Sequence, residues 1–181
     1  SVKFQGKAAL LTVEKLDISN LTKMANLFTD CTHLTSVNMD EWDTSNIKDM
    51  QYMFYNCKLL TSLNLSHLNT ANVTNMGYMF HSCSGLTSVD LTNWNTAKVE
   101  VTKGMFNGCT SLTSLDLSHF NTTKVTDMNK MFYNCSSLTS LDLSNWDTGN
   151  VKNATSMFQN IPEISDWNYD GNNYTNFTLT E

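Results

Sequence analysis

Hydrophobic and polar positions along this chain recur in a single register. Phe28, Phe54, Phe80, Phe106, Phe132 and Phe158 stand 26 residues apart without one insertion. Met53, Met79, Met105, Met131 and Met157 precede five of them and Leu27 the first; Cys31, Cys57, Cys83, Cys109 and Cys135 follow three places later, with Ile161 in the sixth place. Further columns keep the period: Leu34, Leu60, Leu86, Leu112, Leu138; then Trp42, Leu68, Trp94, Phe120, Trp146; then Thr44, Thr70, Thr96, Thr122, Thr148; and Ile47, Val73, Val99, Val125, Val151. Chance does not align so many columns. The chain is a tandem array, in which one unit cannot bury its apolar face alone and stacking on its neighbours does so.

Each unit carries two periods. Leu112 to Leu117 reads L-T-S-L-D-L, with Leu115 and Leu117 pointing one way and Ser114 and Asp116 the other, which predicts a short half-buried strand. Val125, Met128, Met131, Phe132 and Cys135 fall on one helical face and predict a short helix, with Asn121-Thr122 and Asp43-Thr44 offering turn and N-cap chemistry before it. The period excludes tetratricopeptide and ankyrin units and lies within the leucine-rich-repeat range. The expected fold is α/β: a leucine-rich-repeat-like right-handed solenoid of 26-residue strand–turn–short-helix units, with a parallel sheet on one face at ~4.8 Å spacing. An aromatic at the turn, where such repeats usually hold Asn, sets it apart from standard members. One unit breaks pattern, since Thr102 stands where Met76 and Met128 stand elsewhere; its helix is expected to shift or fray so that Val101 replaces the missing Met.

The ends deviate as caps should. Residues 1–33 read as a degenerate N-terminal capping repeat, with Leu11, Val13, Leu16, Leu21 and Met24 on the columns. Residues 34–161 are the tandem repeats, and 162–181 a C-terminal cap carrying Pro162, Ile164, Trp167, Tyr169, Phe177 and a turn at Asp170-Gly171-Asn172-Asn173.

Composition narrows the partners. At 181 residues this is one domain's worth, 40% hydrophobic and only 15% charged, with Asn, Ser and Thr filling over a third. Eleven basic against 17 acidic residues leave a net charge of −6, which argues against nucleic acid and anionic membrane as partners. No apolar run approaches the ~18 residues of a membrane span, and a monomer is expected. The chain starts at Ser1 without a leader, as expected of a mature fragment or an excised domain.

The cysteines line up one per unit rather than converging, so they are expected to be buried free thiols and not a metal site, and their odd number leaves at least one unpaired. The Met and Phe columns are core. His67 and His119 share a column two units apart, and His33 and His81 belong to others, so no metal site forms from them. Every Ser is one copy of a repeated set, and no lone triad stands out, so no catalytic residue, metal or cofactor is expected. The best candidate surface is the solvent face of the sheet, with columns Ser36, Ser62, Ser88, Ser114, Ser140 and Asn38, Asn64, Asp90, Asp116, Asp142. Stacked aspartates repel one another. Hydroxyls, water, a cation such as Ca²⁺ or a cationic partner would offset that. The candidate binding set is Ser88, Asp90, Ser114, Asp116, Ser140 and Asp142, with Trp94 and Trp146 at the rim, where an aromatic is either core or a platform for a ligand. Outer positions also diverge between units, running Tyr52, Tyr78, Gly104, Lys130, and that divergence leans towards binding.

The stretch Met131-Phe132-Tyr133-Asn134-Cys135-Ser136-Ser137-Leu138-Thr139-Ser140-Leu141-Asp142-Leu143-Ser144-Asn145-Trp146-Asp147-Thr148 resembles the repeat of the BspA-like leucine-rich-repeat surface proteins, in particular their bacterial 26-residue subgroup, and the likeness runs from about residue 20 to 161. The resemblance implies an extracellular protein of the bacterial cell surface whose anchor lies outside this sequence. It implies adhesion to a host or extracellular macromolecule (a glycoprotein, matrix protein or glycan) and no enzymatic activity. The alternative is a structural spacer within a larger surface protein.

Overall fold

The structure, a computed structural model, describes residues 4–7, 9, 12–13, 16–18, 20–162 and 166–168, with 12–13 and 166–168 described by their backbone. Leu11 and nearly all of the expected C-terminal cap, including Ile164, Tyr169, Phe177 and the turn at 170–173, lie outside the described residues.

Seven short strands recur among the described residues: β1 (Thr12–Val13), β2 (Ser36–Val37), β3 (Ser62–Asn64), β4 (Ser88–Asp90), β5 (Ser114–Asp116), β6 (Ser140–Asp142) and β7 (Asp166–Asn168). All pairings are parallel. Ser62 faces Ser88, Leu63 faces Val89 and Asn64 faces Asp90; Ser114, Leu115 and Asp116 face Ser140, Leu141 and Asp142. Alternation does what it should, for Leu63 and Leu115 are buried between exposed neighbours. The strands form three hydrogen-bonded groups, β1–β2, β3–β4 and β5–β6–β7, rather than one continuous sheet, although β2 touches β3 and β4 touches β5.

No helix occurs among the described residues, which corrects the expectation of a short helix in each unit. In its place lies a second ladder. The amides of Met50, Tyr52, Phe54 and Asn56 donate to the carbonyls of Asn75, Gly77, Met79 and His81 in the next unit at 2.7–3.0 Å. The amides between them, on Met53, Tyr55 and Cys57, donate three residues back at 3.1–3.3 Å. Half the amides are thus spent between units, whereas an α-helix needs all of them within the segment. Parallel bridges run without a break through Lys23, Asp49, Asn75, Val101, Asp127 and Asn153.

Positive φ enforces this path. Two residues per unit have φ of 54–76°: Asn26, Tyr52, Tyr78, Gly104, Lys130 and Ser156 in one column, and Asp30, Asn56, Ser82, Gly108, Asn134 and Asn160 in the other. Left-handed residues every four positions end a right-handed helix. They suit chained tight turns whose third residue needs φ > 0. The predicted apolar positions Val125, Met128, Met131, Phe132 and Cys135 are nonetheless all buried, because steps of three also return to one side in chained turns.

Thr102 corrects a second expectation. Its amide donates to Asp127 O as that of Met76 does to Val101 O, so the register is unshifted and Val101 stays in the bridge. Thr102 itself is buried, its hydroxyl 3.5 Å from Asp127 O. The inter-unit ladder fixes the backbone there, so a changed side chain does not move it.

The core runs the length of the array. Rings of Phe28, Phe54, Phe80, Phe106, Phe132 and Phe158 stack with centroids 5.4–5.9 Å apart. Phe4 extends the column by stacking on Phe28 at 5.5 Å, and its carbonyl accepts from the Cys31 thiol. It lies 24 rather than 26 residues before Phe28 because the first unit is shorter. Thr12 pairs with Ser36 and Val13 with Val37, an offset of 24, so Val13 belongs to the column of Val37 and not to that of Met39. At the corners, the buried hydroxyls of Thr70, Thr96 and Thr122 donate to the carbonyls of Asn95, Asn121 and Asp147 and accept from the amides of the same residues. Each thereby holds both the amide and the carbonyl of one residue in the next unit.

Candidate functional site

The strand face places Ser88, Asp90, Ser114, Asp116 and Ser140 in the open, with Asp142 half-buried. The carboxylates have work of their own. Asp90 Oδ1 accepts from the Thr92 amide at 3.1 Å and the Thr92 hydroxyl at 2.7 Å; Asp116 Oδ1 does the same with Ser118 at 3.0 and 2.6 Å, and Asp142 Oδ1 accepts the Ser144 amide at 2.9 Å. Each is an Asx turn that bends the chain out of its strand. Asn38 and Asn64 make the equivalent bonds, so the turn needs the oxygen and not the charge. Hydroxyl donation by Thr92 and Ser118, seconded by their amides, holds the Asp90 and Asp116 carboxyls below the usual range and keeps them ionised.

Trp94 and Trp146 do not share that face. They are 3% and 2% exposed, and each indole Nε1 donates to a carbonyl of the preceding unit, Leu65 O at 2.8 Å and Leu117 O at 3.0 Å. Of the two roles open to these rings, the structure assigns core. The histidines of the neighbouring column explain the pattern. Where the aromatic place holds Leu68 or Phe120, which lack a donor, His67 Nε2 reaches Met39 O at 2.7 Å and His119 Nε2 reaches Leu91 O at 2.8 Å. His67-Leu68 and His119-Phe120 thus alternate with Asn93-Trp94 and Asn145-Trp146 in supplying one donor to one column of carbonyls.

The five cysteines are free and buried. The thiols of Cys57, Cys83, Cys109 and Cys135 each donate to the carbonyl of the preceding unit's Phe at 3.0–3.1 Å. Burial pushes the Cys83 and Cys135 thiols up to about 12, and raises Cys57 and Cys109 as well, with neighbouring thiols adding to the effect. Such groups are inert as nucleophiles at neutral pH. No group of three potential metal ligands occurs among the described residues, and no described helix is long and apolar enough to cross a membrane.

Sequence reasoning missed a cluster on the turn side. Tyr52 and Tyr78 stack across units at 5.1 Å with planes 4° apart, and Tyr55 stacks on His81 at 4.7 Å. Edge contacts at 5.6 and 5.7 Å join Tyr52 to Tyr55 and Tyr78 to His81, closing a four-ring cluster of half-exposed residues. Lys103 Nζ lies over the Tyr78 ring at 5.7 Å, and Lys130 Nζ over Tyr133 at 5.4 Å. His81 Nδ1 is buried without a hydrogen-bond partner, and burial lowers the pKa of this imidazole. The available signal was an aromatic or His at both outer positions of two consecutive units, 52 with 55 and 78 with 81.

No curated protein matches the chain. A family described as "Mycoplasma protein of unknown function, DUF285" matches it twice, over residues 2–89 and 84–178. The two stretches each hold several of the repeated units and together take in nearly the whole length, so the chain belongs to the DUF285 family.

Proposed function

We propose that this chain is a repeat module of the BspA-like kind, displayed outside a bacterial cell, that binds an extracellular macromolecule through its strand face. In this reading the units wind as one right-handed solenoid, the hand that parallel crossover connections favour. The observation that carries it is the exposed ladder of hydroxyls and carboxylates, with Ser114 opposite Ser140 and Asp116 opposite Asp142, each carboxylate already held by its turn. Groups fixed before binding lose little entropy on contact, and long shallow surfaces suit macromolecules better than small substrates. Binding rather than catalysis also fits thiols that are buried and carboxylates spent on turns.

A structural spacer is the second reading, favoured by the uniform chemistry of the strand face, where Asn38, Asn64 and Asp90 play one part. The deciding experiment is binding of the chain to immobilised mucin, matrix proteins and glycans, alongside an Asp90→Asn/Asp116→Asn/Asp142→Asn variant. Asn keeps the oxygen acceptor and removes the charge, so this variant folds. Saturable binding that the variant loses supports adhesion through the strand face. Binding that survives it moves the site elsewhere, and no binding across the panel favours the spacer.

A further inference from the structure

We propose that the turn side carries a separate binding surface, formed by Tyr52, Tyr55, Tyr78, His81, Lys103 and Lys130, whose ligand is an anionic glycan bearing carboxylate or sulfate groups. Tyr52 and Tyr78 have φ of 58° and 56°, a region bulky L-residues rarely adopt. Asn26 and Gly104 hold the same place at less cost, while Lys130 and Ser156 adopt it too, so the fold asks for this backbone in every unit. Tyr at two consecutive copies of a place that favours Asn or Gly points to a role for the rings themselves. A second adaptation accompanies them: any Cβ at residue 104 would run into the Tyr78 ring, so Gly104 makes room for the aromatic stack.

Charge selects the ligand. The ammonium groups of Lys103 and Lys130 rest on aromatic faces. Carboxylates stand on this side as well, Asp30 bonded by the Asn56 amide group at 2.8 Å, Asp49 and Asp127 by the backbone amides of Gln51 and Asn129, and Glu100 exposed, so that lysines and carboxylates nearly balance. The strand side and its corners hold an acidic excess, with Asp40, Glu41, Asp43, Asp90, Asp116, Asp142 and Asp147 against Lys98 and Lys124. An acidic ligand is therefore repelled by the strand side and meets no such excess of negative charge on the turn side, where two ammonium groups lie on the rings.

The ladder argues for a glycan over an acidic peptide. Extended peptides gain affinity from main-chain hydrogen bonds along an edge, but the amides of Met50 through Cys57 apart from Gln51 are all spent within or between units, and Gln51 N binds Asp49. What the surface still offers is phenol hydroxyls, ring edges, ammonium groups and an imidazole. Those suit hydroxyl-rich, negatively charged sugar chains.

The test uses the whole chain and immobilised polygalacturonate, dextran sulfate, neutral dextran and poly-glutamate, at low and at physiological salt. Saturable binding to one or both anionic polysaccharides is expected, weakening with salt as exposed charges are screened. Which of the two binds distinguishes carboxylate from sulfate. A Tyr52→Asn/Tyr78→Asn variant, whose Asn suits the left-handed backbone, should weaken binding about tenfold, the order produced by removing aromatic anchors. Lys103→Gln should weaken it less and flatten the salt dependence. The Asp90→Asn/Asp116→Asn/Asp142→Asn variant should bind undiminished, which separates this surface from the strand face. Failure of both anionic polysaccharides, equal binding of neutral dextran or poly-glutamate, or full binding by the double tyrosine variant would each overturn the proposal.

Discussion

The two long sides of this array are built from the same period and solve different problems. On the strand side, two or three residues per unit pair in register, the ladder is interrupted between groups, and the exposed columns barely change from unit to unit. On the turn side the bridges continue unbroken from Lys23 to Asn153, the Phe rings stack behind them, and the outer residues change freely. Continuity and variability therefore sit together. Because the turn-side backbone is fixed by amide-to-carbonyl bonds and left-handed residues, its outward side chains can diverge without disturbing the fold. Asx bonds serve both sides, on the strand side through the very carboxylates it displays and on the turn side through Asp49, Asn75, Asp127 and Asn153.

If the turn side is the framework, cutting its core should cost most. Phe80 is fully buried between Phe54 and Phe106, and Leu115 is the matching buried residue of a strand. Phe80→Ala is expected to lose about 4 kcal/mol and Leu115→Ala about 2 kcal/mol, within the range for large-to-small core changes. Chemical denaturation of both variants checks the order. A larger loss at Leu115 would break the comparison, and place the framework on the strands.

How much of this could be read in advance follows the same division. The strands were legible because alternation at Leu112–Leu117 has only one physical reading, and register followed from the period. The turn side misled because its apolar spacing also fits a helix. The corrective signal was the residue before each cysteine, Asp30, Asn56, Ser82, Gly108 and Asn134, a column of types that tolerate positive φ or favour turns and that fit a helix interior poorly. Of the candidate site, the exposed Ser and Asp columns were legible, but their Asx bonds were not, since Asn, Asp, Ser and Thr abound everywhere in the chain. The burial of Trp94 and Trp146 becomes readable only with the alternation of His67 and His119 against them, which pairs donors to carbonyls across units. Phe4 was hidden by a first unit two residues short.

A smaller effect tests whether the aromatic cluster is tied to the backbone beneath it. Gly104→Ala meets two costs, a left-handed φ of 58° and the Tyr78 ring. Their sum should be about 2 kcal/mol. In a Tyr78→Asn background only the backbone cost remains, about 1 kcal/mol, so the cycle should give a coupling near the difference. Additive losses would mean that the ring simply moves aside, and the turn side would then be less rigid than its ladder implies.

The smallest effect, and the one that separates the two sides in a single titration, is the pH dependence of stability. On the strand side and its corner, Asp90, Asp116 and Asp43 have folded-state pKa values depressed by hydrogen bonds, from Thr92, Ser118 and Ser45. Their contribution is complete above the unfolded value of about 3.9 and is lost as pH falls through the depressed folded values. On the turn side, burial lowers the His81 pKa, so the unfolded chain takes up its proton first, near pH ~6.5. Stability from His81 therefore falls as pH drops below that value and levels off once the folded imidazole is also protonated. Thermal melts across pH should show a shallow decline in the mildly acidic range and a separate one below pH ~4. His81→Asn should remove the first and leave the second; Asp90→Asn/Asp116→Asn should reduce the second and leave the first. A first decline that persists in His81→Asn would detach it from the turn-side imidazole, and the clean division between the sides would fail.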